Sequence, residues 1–561
     1  MMPSLTLSIL STITRQRKTA FVRKTRQVEA AQTQFLRSLL QTHQDTAFGQ
    51  EYRLGEIQTL DQFRERIPVQ PYSGFAPYTE RMAQGEPNVL VADPLIYFNI
   101  SSGSTGQKKL IPVTRRSRQI LSRANRAATG FVMAAAARHR RPPGKMLFPI
   151  SVNAHGHTAA GIAYAPVSTS DLRLMDWLSR QVFAYPFEAF QIADTASRYY
   201  ICLLFALRNP HLRVIGATFP VLALQMCDHL TQNASSLIHD LATGELAPWL
   251  KLEPALRAKL ERRWTAHPQR AAQLRHILDT QGDFVPKDLW PHLSFMVTAR
   301  GGTSNFYFER FPKYFGNLPI FGGLYSCAEG ALGVHWDFNT DSVIPALEST
   351  FLELIPADQW EVANPQTVMP WEVTVGDRYR IVLTNYSGFY RYDLGDVVEI
   401  TGFFNQAPLM EFKHRQGGVI SASTEKTTEA HVIEVMGQLQ RAFGVTLENF
   451  CITLSDDTVP AHYLVNIELA PDQALADPLQ FLQRFDELMR IVQHFYAIKR
   501  HDQIPAPRLR ILAPGSFERL RQSMIKRGVA EAQLKFPHVN EDRNWLAGLT
   551  ILQEVRLAED V

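Results

Sequence analysis

An α/β architecture follows from three features of the sequence. Short apolar runs alternate with helical periodicity up to about Gly323, strands crowd together without helices from Glu348 to Ile400, and helix, strand and helix return after Thr428. Such alternation builds layered α/β domains, and 561 residues exceed what one core usually supports. The expected arrangement is a large N-terminal domain over residues 1–422, with mixed β-sheets flanked by helices and a small antiparallel β subdomain. A joint over 423–428 and a smaller, mobile α/β C-terminal domain over 429–561 complete it.

From Ala30 to about Phe63 the positions Phe35, Leu39, Leu40 and Phe48 recur at helical spacing, and the Pro- and Gly-dotted stretch from Ile67 to Pro77 ends the pattern. Ile96 to Ile100 is aromatic and branched and runs into a Ser/Gly/Thr cluster, so it reads as a strand delivering a loop, followed by a short strand over Leu110 to Val113. Thr114 suits an N-cap for a helix reaching Ala137, with Arg138 to Arg141 near its C-terminus. Met146 to Ile150, Arg213 to Ala217, Leu293 to Thr298 and Pro319 to Gly323 read as short buried strands, with helices such as Asp194 to Leu207 and Thr265 to Leu278 between them. Strands are expected at Phe351 to Ile355, Glu372 to Val375, Tyr379 to Leu383 and Val397 to Ile400. The C-terminal part reads as a helix over Val432 to Phe443, strands at Cys451 to Thr453 and Tyr463 to Leu469, and a helix over Leu479 to Phe495.

Composition excludes several classes. With 45% hydrophobic and 20% charged residues the chain sits near average globular usage. A net charge of +4, with bases and acids interleaved, gives no nucleic-acid footprint. Cys202, Cys227, Cys327 and Cys451 form no Cys-x-x-Cys pair, which argues against a zinc site or a disulfide framework and suits a reducing cytoplasm. Apolar runs such as Tyr199 to Leu207 fall well short of the roughly 18 residues that a membrane span needs. The basic run between Arg15 and Arg26, with no acid before Glu29, is read as a solvated helix face, ahead of a transit peptide or a membrane-touching helix.

The strongest local signal is Ser101-Ser102-Gly103-Ser104-Thr105-Gly106-Gln107-Lys108-Lys109. A polyphosphate needs several converging donors, which hydroxyls and glycine-exposed N–H groups supply while a lysine adds positive charge. The pattern is not Gly-x-x-x-x-Gly-Lys-Ser/Thr, which disfavours a kinase or GTPase loop; alone, it is also what a plain flexible loop looks like. Tyr325-Ser326-Cys327-Ala328-Glu329-Gly330 sets an aromatic face and a carboxylate at a strand edge. That suits a base stacked on Tyr325 and magnesium on Glu329, or simply a tight turn. Asp396 in Tyr392-Asp393-Leu394-Gly395-Asp396 follows a glycine, a common way to bind ribose hydroxyls and equally a turn. Lys426 lies in a polar stretch between the two expected domains, either a hinge or a solvated linker. Lys535 is a lone cation in the loop Gly528 to Pro537.

Taken in order, these segments resemble the acyl-adenylate-forming superfamily. More narrowly they are similar to the Gretchen Hagen family of acyl acid amido synthetases, whose plant members join auxin or jasmonate to amino acids. The resemblance runs from Thr46-Ala47-Phe48-Gly49 to the Gln533-x-Lys535-x-Pro537 loop and includes Phe412 to Glu429. It implies phosphate contact from Ser101, Ser102, Gly103, Ser104, Thr105 and Lys109, adenine and magnesium contact near Tyr325 and Glu329, and ribose contact from Asp396. It further implies an arginine near the nucleotide at Arg415, the hinge at Lys426, and a mobile lysine at Lys535 that reaches the reacting phosphate and carboxylate. The first loop is one residue shorter than the plant Ser-Ser-Gly-Thr-Ser-Ala-Gly form, Cys327-Ala328-Glu329 replaces Ser-Ser-Glu, and Ser423 takes the hinge aspartate position. These departures suggest a bacterial branch.

The expected chemistry uses ATP and magnesium, with Lys535, Glu329 and Lys109 as the catalytic set. The substrates are a small-molecule carboxylic acid and an amino acid or related amine. Phe306, Tyr307 and Phe311 supply apolar walls for the acyl group or ordinary core packing. No nucleic acid or membrane partner is expected, and the chain is expected to be a monomer or weak homodimer. A ligase passing the acyl group to coenzyme A or a carrier-protein thiol, and a non-catalytic nucleotide-binding module, are the rival classes.

Overall fold

The computed structural model describes residues 5–102, 108–154, 156–167, 180–302, 304–415, 418–422, 425–458, 461–501, 504–526 and 534–557. The chain divides into two compact units. The first comprises Met1–Arg300, Phe311–Leu394 and Val398–Glu411; the second comprises Gly301–Arg310, Gly395–Val397 and Phe412–Val561.

In the first unit the four apolar runs at Met146–Leu147, Val214–Gly216, Phe295–Val297 and Ile320–Phe321 form one sheet in that order, with every adjacent pair parallel. Parallel neighbours need crossovers, and helices such as Thr195–Leu207, buried from Ser197 to Leu207, and Pro268–Gln281 lie in the intervening sequence. A second sheet pairs Leu95–Ser102 antiparallel with Lys108–Thr114, with Ser101 opposite Lys109. The helix Arg115–Arg138 starts where Thr114 closes a capping box: Ser117 donates its N–H to Thr114 Oγ1 at 3.1 Å, and Thr114 donates its own to Ser117 Oγ at 2.9 Å.

The strand-rich region lies in a seven-stranded sheet containing Phe351–Pro356, Arg378–Thr384 and Tyr392–Phe404 in adjacent positions. The strand expected over Glu372 to Val375 is irregular. Local side chains satisfy its backbone, because Met369 N–H donates to Glu372 Oε2 at 2.7 Å and Thr374 N–H to the Tyr379 hydroxyl at 3.0 Å. Against this sheet packs an aromatic core in which the Phe48 and Tyr390 rings stack at 4.6 Å.

The second unit has a sheet ordered Leu447–Leu454, Tyr463–Leu469, Arg508–Leu512 and Ile551–Arg556, with only the middle pair parallel. The helix Glu429–Phe443 precedes it, and the expected helix from Leu479 to Phe495 is broken in two, Pro478–Val492 and His494–Arg500. Gln493 makes the break: it leaves helical backbone angles, its Oε1 accepts from Phe495 N–H at 2.9 Å, and its Nε2 donates to the Lys426 carbonyl at 2.9 Å. Among the described residues no helix is long and apolar enough to cross a membrane.

Candidate functional site

In the first unit one tyrosine hydroxyl joins the two charged residues that the sequence singled out. Lys109 Nζ donates to the Tyr392 hydroxyl at 3.2 Å, and that hydroxyl donates to Glu329 Oε1 at 2.9 Å. The ammonium also lies over the Tyr72 ring, 5.4 Å from its centre, so that aromatic face favours its charge. Tyr72 is itself held in place, its hydroxyl accepting from Leu110 N–H at 2.8 Å, and burial raises its phenol above the ordinary value.

Glu329 is only 3% exposed. Its segment is a tight turn in which Cys327 N–H donates to the Gly330 carbonyl at 3.0 Å and Gly330 N–H to the Cys327 carbonyl at 3.3 Å. Two buried asparagines brace this turn: Asn385 Nδ2 donates to the Glu329 carbonyl at 2.7 Å, and Asn99 Nδ2 to the Ala328 carbonyl at 3.2 Å. Tyr325 sits on the preceding strand Leu324–Ser326, partly buried against the aromatic core. Among the described residues no group of three or more His, Cys, Asp or Glu is placed to hold a metal. One buried carboxylate fits magnesium that arrives on a triphosphate, which asks the protein for only one or two carboxylates.

The strand bearing Tyr392 is fixed from behind. Arg391 takes a left-handed backbone, φ +46°, and its side chain donates to Glu353 Oε2 at 3.0 Å, to the Arg64 and Ile67 carbonyls, and to Thr367 Oγ1. Gln70 N–H donates to the Arg391 carbonyl at 3.1 Å, and Asp393 N–H donates to the Gln70 carbonyl at 2.9 Å, so backbone bonds hold both sides of Tyr392.

The remaining expected residues with described side chains belong mostly to the second unit. Asp396, 7% exposed, has Oδ1 at 3.6 Å from Arg415 Nε. Lys535 is exposed, with Nζ 5.8 Å from the centre of the Phe412 ring. Its loop is tied down at His538, whose N–H donates to Glu429 Oε1 at 2.7 Å and whose ring stacks on Phe450 at 4.2 Å. Burial raises the Glu429 carboxyl, opposed by the Lys535 charge, and burial lowers His538 to about 4. Lys426 is exposed beside Glu425, whose buried Oε1 accepts from Ala422 N–H and the Tyr463 hydroxyl, both at 2.6 Å.

Gly103, Ser104, Thr105 and the hinge residue Ser423 lie outside the described residues, and of Ser101 and Ser102 only the backbone, in strand Leu95–Ser102, is described. Phe306 and Tyr307 are buried in the second unit, Phe306 against Phe450 at 5.1 Å and Tyr307 accepting from Asn449 Nδ2 at 3.4 Å. Phe311 is buried in the first unit, 5.0 Å from Phe315 between ring centres. Sequence reasoning missed the Tyr392 hydroxyl and Asn385. Tyr392 stood inside the motif that pointed to Asp396, and an aromatic hydroxyl four residues ahead of that carboxylate was the available signal.

Comparison with known proteins matches three family models in order along the chain: the GH3 family N-terminal domain over residues 17–320, its central domain over 343–415 and its C-terminal domain over 430–544. The chain is 25% identical over 541 residues to indole-3-acetic acid-amido synthetase GH3.3 of Arabidopsis thaliana, covering 91% of this chain and 89% of that protein. It is 28% identical over 515 residues to a probable indole-3-acetic acid-amido synthetase, GH3.1 of Oryza sativa subsp. japonica, covering 86% and 82%. In fold it is similar to the GH3.15 acyl acid amido synthetase, with a TM-score of 0.85 at 23% identity over 96% of each chain. These relatives give no support to the bacterial branch suggested by the sequence departures.

Proposed function

This chain belongs to the GH3 family, the Gretchen Hagen family that its motifs resembled, and is an amido synthetase, a ligase that forms an amide bond; on that premise we propose how its residues share the work. The observation that carries the reading is the match to all three family domains in sequence order.

The reaction has two halves. A carboxylate oxygen of the acid attacks the α-phosphorus of ATP, the bond to pyrophosphate breaks, and an acyl-adenylate forms. The amine nitrogen of an amino acid then attacks the acyl carbon, gives up a proton, and displaces AMP as the amide forms. Carboxylate and triphosphate repel each other, so positive charge and oriented donors must offset that repulsion.

Lys109 supplies a cation that the Tyr392 hydroxyl and the Tyr72 ring face hold in place. The loop Ser101 to Thr105 supplies hydroxyl and N–H donors to the phosphates, Tyr325 an aromatic face for adenine, and Asp396 an acceptor for ribose, with Arg415 beside it. Glu329 would hold magnesium together with the phosphates, where the ion would neutralise charge building on the leaving pyrophosphate. Lys535 acts on the reacting phosphate and carboxylate, and backbone rotation at Lys426 separates the two halves. A cytoplasmic setting, which supplies both ATP and amino acids, suits this chemistry.

The test is pyrophosphate release from ATP and magnesium across aryl, indole and fatty carboxylic acids, with amino acids or coenzyme A added in parallel. Acid-dependent release that an amino acid enhances, with an amide product, is expected. Enhancement by coenzyme A alone would make the chain a thioester ligase, and ATP binding without release from any acid would make it a non-catalytic nucleotide-binding module.

A further inference from the structure

We propose that Tyr392 is a positioning residue for adenylation, its hydroxyl coupling Lys109 and Glu329 so that the cation and the carboxylate engage ATP as one unit. The inference rests on the ATP-dependent reading above and goes beyond it, since the motifs that point to ATP assign this tyrosine no task.

The direction of the hydrogen bonds follows from chemistry. An ammonium only donates, an ionised carboxylate only accepts, and a phenol does both. The hydroxyl lying 3.2 Å from Lys109 Nζ and 2.9 Å from Glu329 Oε1 therefore takes a proton contact from the lysine and points its own proton at the carboxylate. Both bonds involve a charged partner, the stronger class. The bridge occupies one of the three lysine donors and one of the two carboxylate oxygens.

The hydroxyl has little freedom to leave. The Tyr392 ring is 1% exposed and packs 5.0 Å from Phe389 and 6.0 Å from Phe75. Its backbone is fixed by the two bonds to Gln70 and by the anchored Arg391 side chain. Glu329 is held from its own side by Asn385. A rigid phenol between two charges that carry long side chains fixes their orientation before the nucleotide arrives, which lowers the ordering cost of binding it.

The experiment is calorimetric ATP binding, with magnesium, to the wild-type protein, Tyr392→Phe, Lys109→Met, Glu329→Gln and their pairwise combinations, with pyrophosphate release followed in parallel. Phenylalanine keeps the packed ring and removes only the hydroxyl. The expected result is about tenfold weaker ATP binding for Tyr392→Phe, and a loss from Lys109→Met or Glu329→Gln at least threefold smaller when combined with Tyr392→Phe than in the wild type. A Tyr392→Phe protein that binds ATP within twofold of wild type, or losses that multiply, would overturn the bridge, because a tyrosine that only fills space predicts both.

Should Tyr392→Phe fail to fold, the Lys109→Met and Glu329→Gln cycle in the wild-type background decides: non-additive losses support the bridge, and multiplying losses overturn it. Wild-type protein that binds ATP but releases no pyrophosphate with any acid overturns the synthetase reading while leaving the coupling measurable. Release without coupling overturns the bridge alone.

Discussion

Glu353 and Arg391 form a buried ion pair one residue ahead of the tyrosine that meets Lys109. Arg391 Nε stands 3.0 Å from Glu353 Oε2, with side-chain exposures of 6% and 1%. Glu353 Oε1 accepts in turn from Thr367 Oγ1 at 2.6 Å and from Arg64 Nε at 3.1 Å. The pair therefore closes a network that a change at Glu353 would open at every member.

Glu353→Met should destabilise the protein by about 3–5 kcal/mol, because it leaves the Arg391 charge buried without its counter-ion. Urea unfolding measures this. A loss below about 1 kcal/mol would mean that the carbonyls of Arg64 and Ile67 suffice to hold the guanidinium. Pyrophosphate release should fall as well at temperatures where the variant stays folded, since Tyr392 follows Arg391 directly.

Lys535→Ala should cost less than about 1 kcal/mol of stability, because the side chain is exposed, touches the Phe412 ring only at 5.8 Å, and offers the buried Glu429 carboxyl a charge that solvent screens. Removing one preorganised cation from a charge-developing step costs about 3–4 kcal/mol, so acid-dependent pyrophosphate release should drop about 100- to 1000-fold. A wild-type rate in a stopped-flow assay of the first half-reaction would remove Lys535 from the mechanism.

Legibility from sequence divides along the reach of each interaction. The four strands of the parallel sheet, though not their parallel pairing, could be read because buried strands announce themselves as apolar runs, and the helix after Thr114 because its capping box spans only four residues. Glu372 to Val375 has the composition of a strand, yet the Glu372 carboxylate and the Tyr379 hydroxyl take its neighbourhood's amides. Gln493 broke an expected helix by reaching the Lys426 carbonyl, 67 positions away. The same holds at the candidate site. Lys109, Glu329 and Asp396 could be singled out from motifs, whereas the hydroxyl linking the first two belongs to Tyr392, 283 positions from Lys109. Periodicity carries no trace of a partner so far along the chain.

His335 predicts a pH dependence of stability. Burial lowers it from 6.5 to about 4, and its Nδ1 lies 3.0 Å from the Thr340 carbonyl, with Arg300 lowering and Asp341 raising it by smaller amounts. The unfolded chain binds this proton at about pH 6.5 and the folded chain only near 4, so stability is full above 6.5 and falls as the pH drops between the two. The contribution is about 3 kcal/mol at most. His335→Gln keeps a donor for Thr340 and cannot take up the proton, so its unfolding free energy should fall less steeply than the wild type's between pH 6.5 and 4. Equal slopes would assign the dependence to other groups.

Gly330→Ala tests the turn that presents Glu329. A Cβ at this position would lie 2.9 Å from Asn385 Nδ2, the donor that holds the Glu329 carbonyl at 2.7 Å. The glycine is not needed for its backbone angles, since Gly330 does not take a positive φ, so the effect is steric and directed at one amide. Asn385 must move to admit the methyl group, and a buried carbonyl then loses its donor at a cost of about 1–3 kcal/mol. The expected outcome is a stability loss of that size together with weaker ATP binding, because the carboxylate that meets Tyr392 belongs to the same residue. Asn385→Ala combined with Gly330→Ala frees the space without restoring the donor. The double variant should therefore be no worse than Asn385→Ala alone, and a further loss would place the clash somewhere other than Asn385.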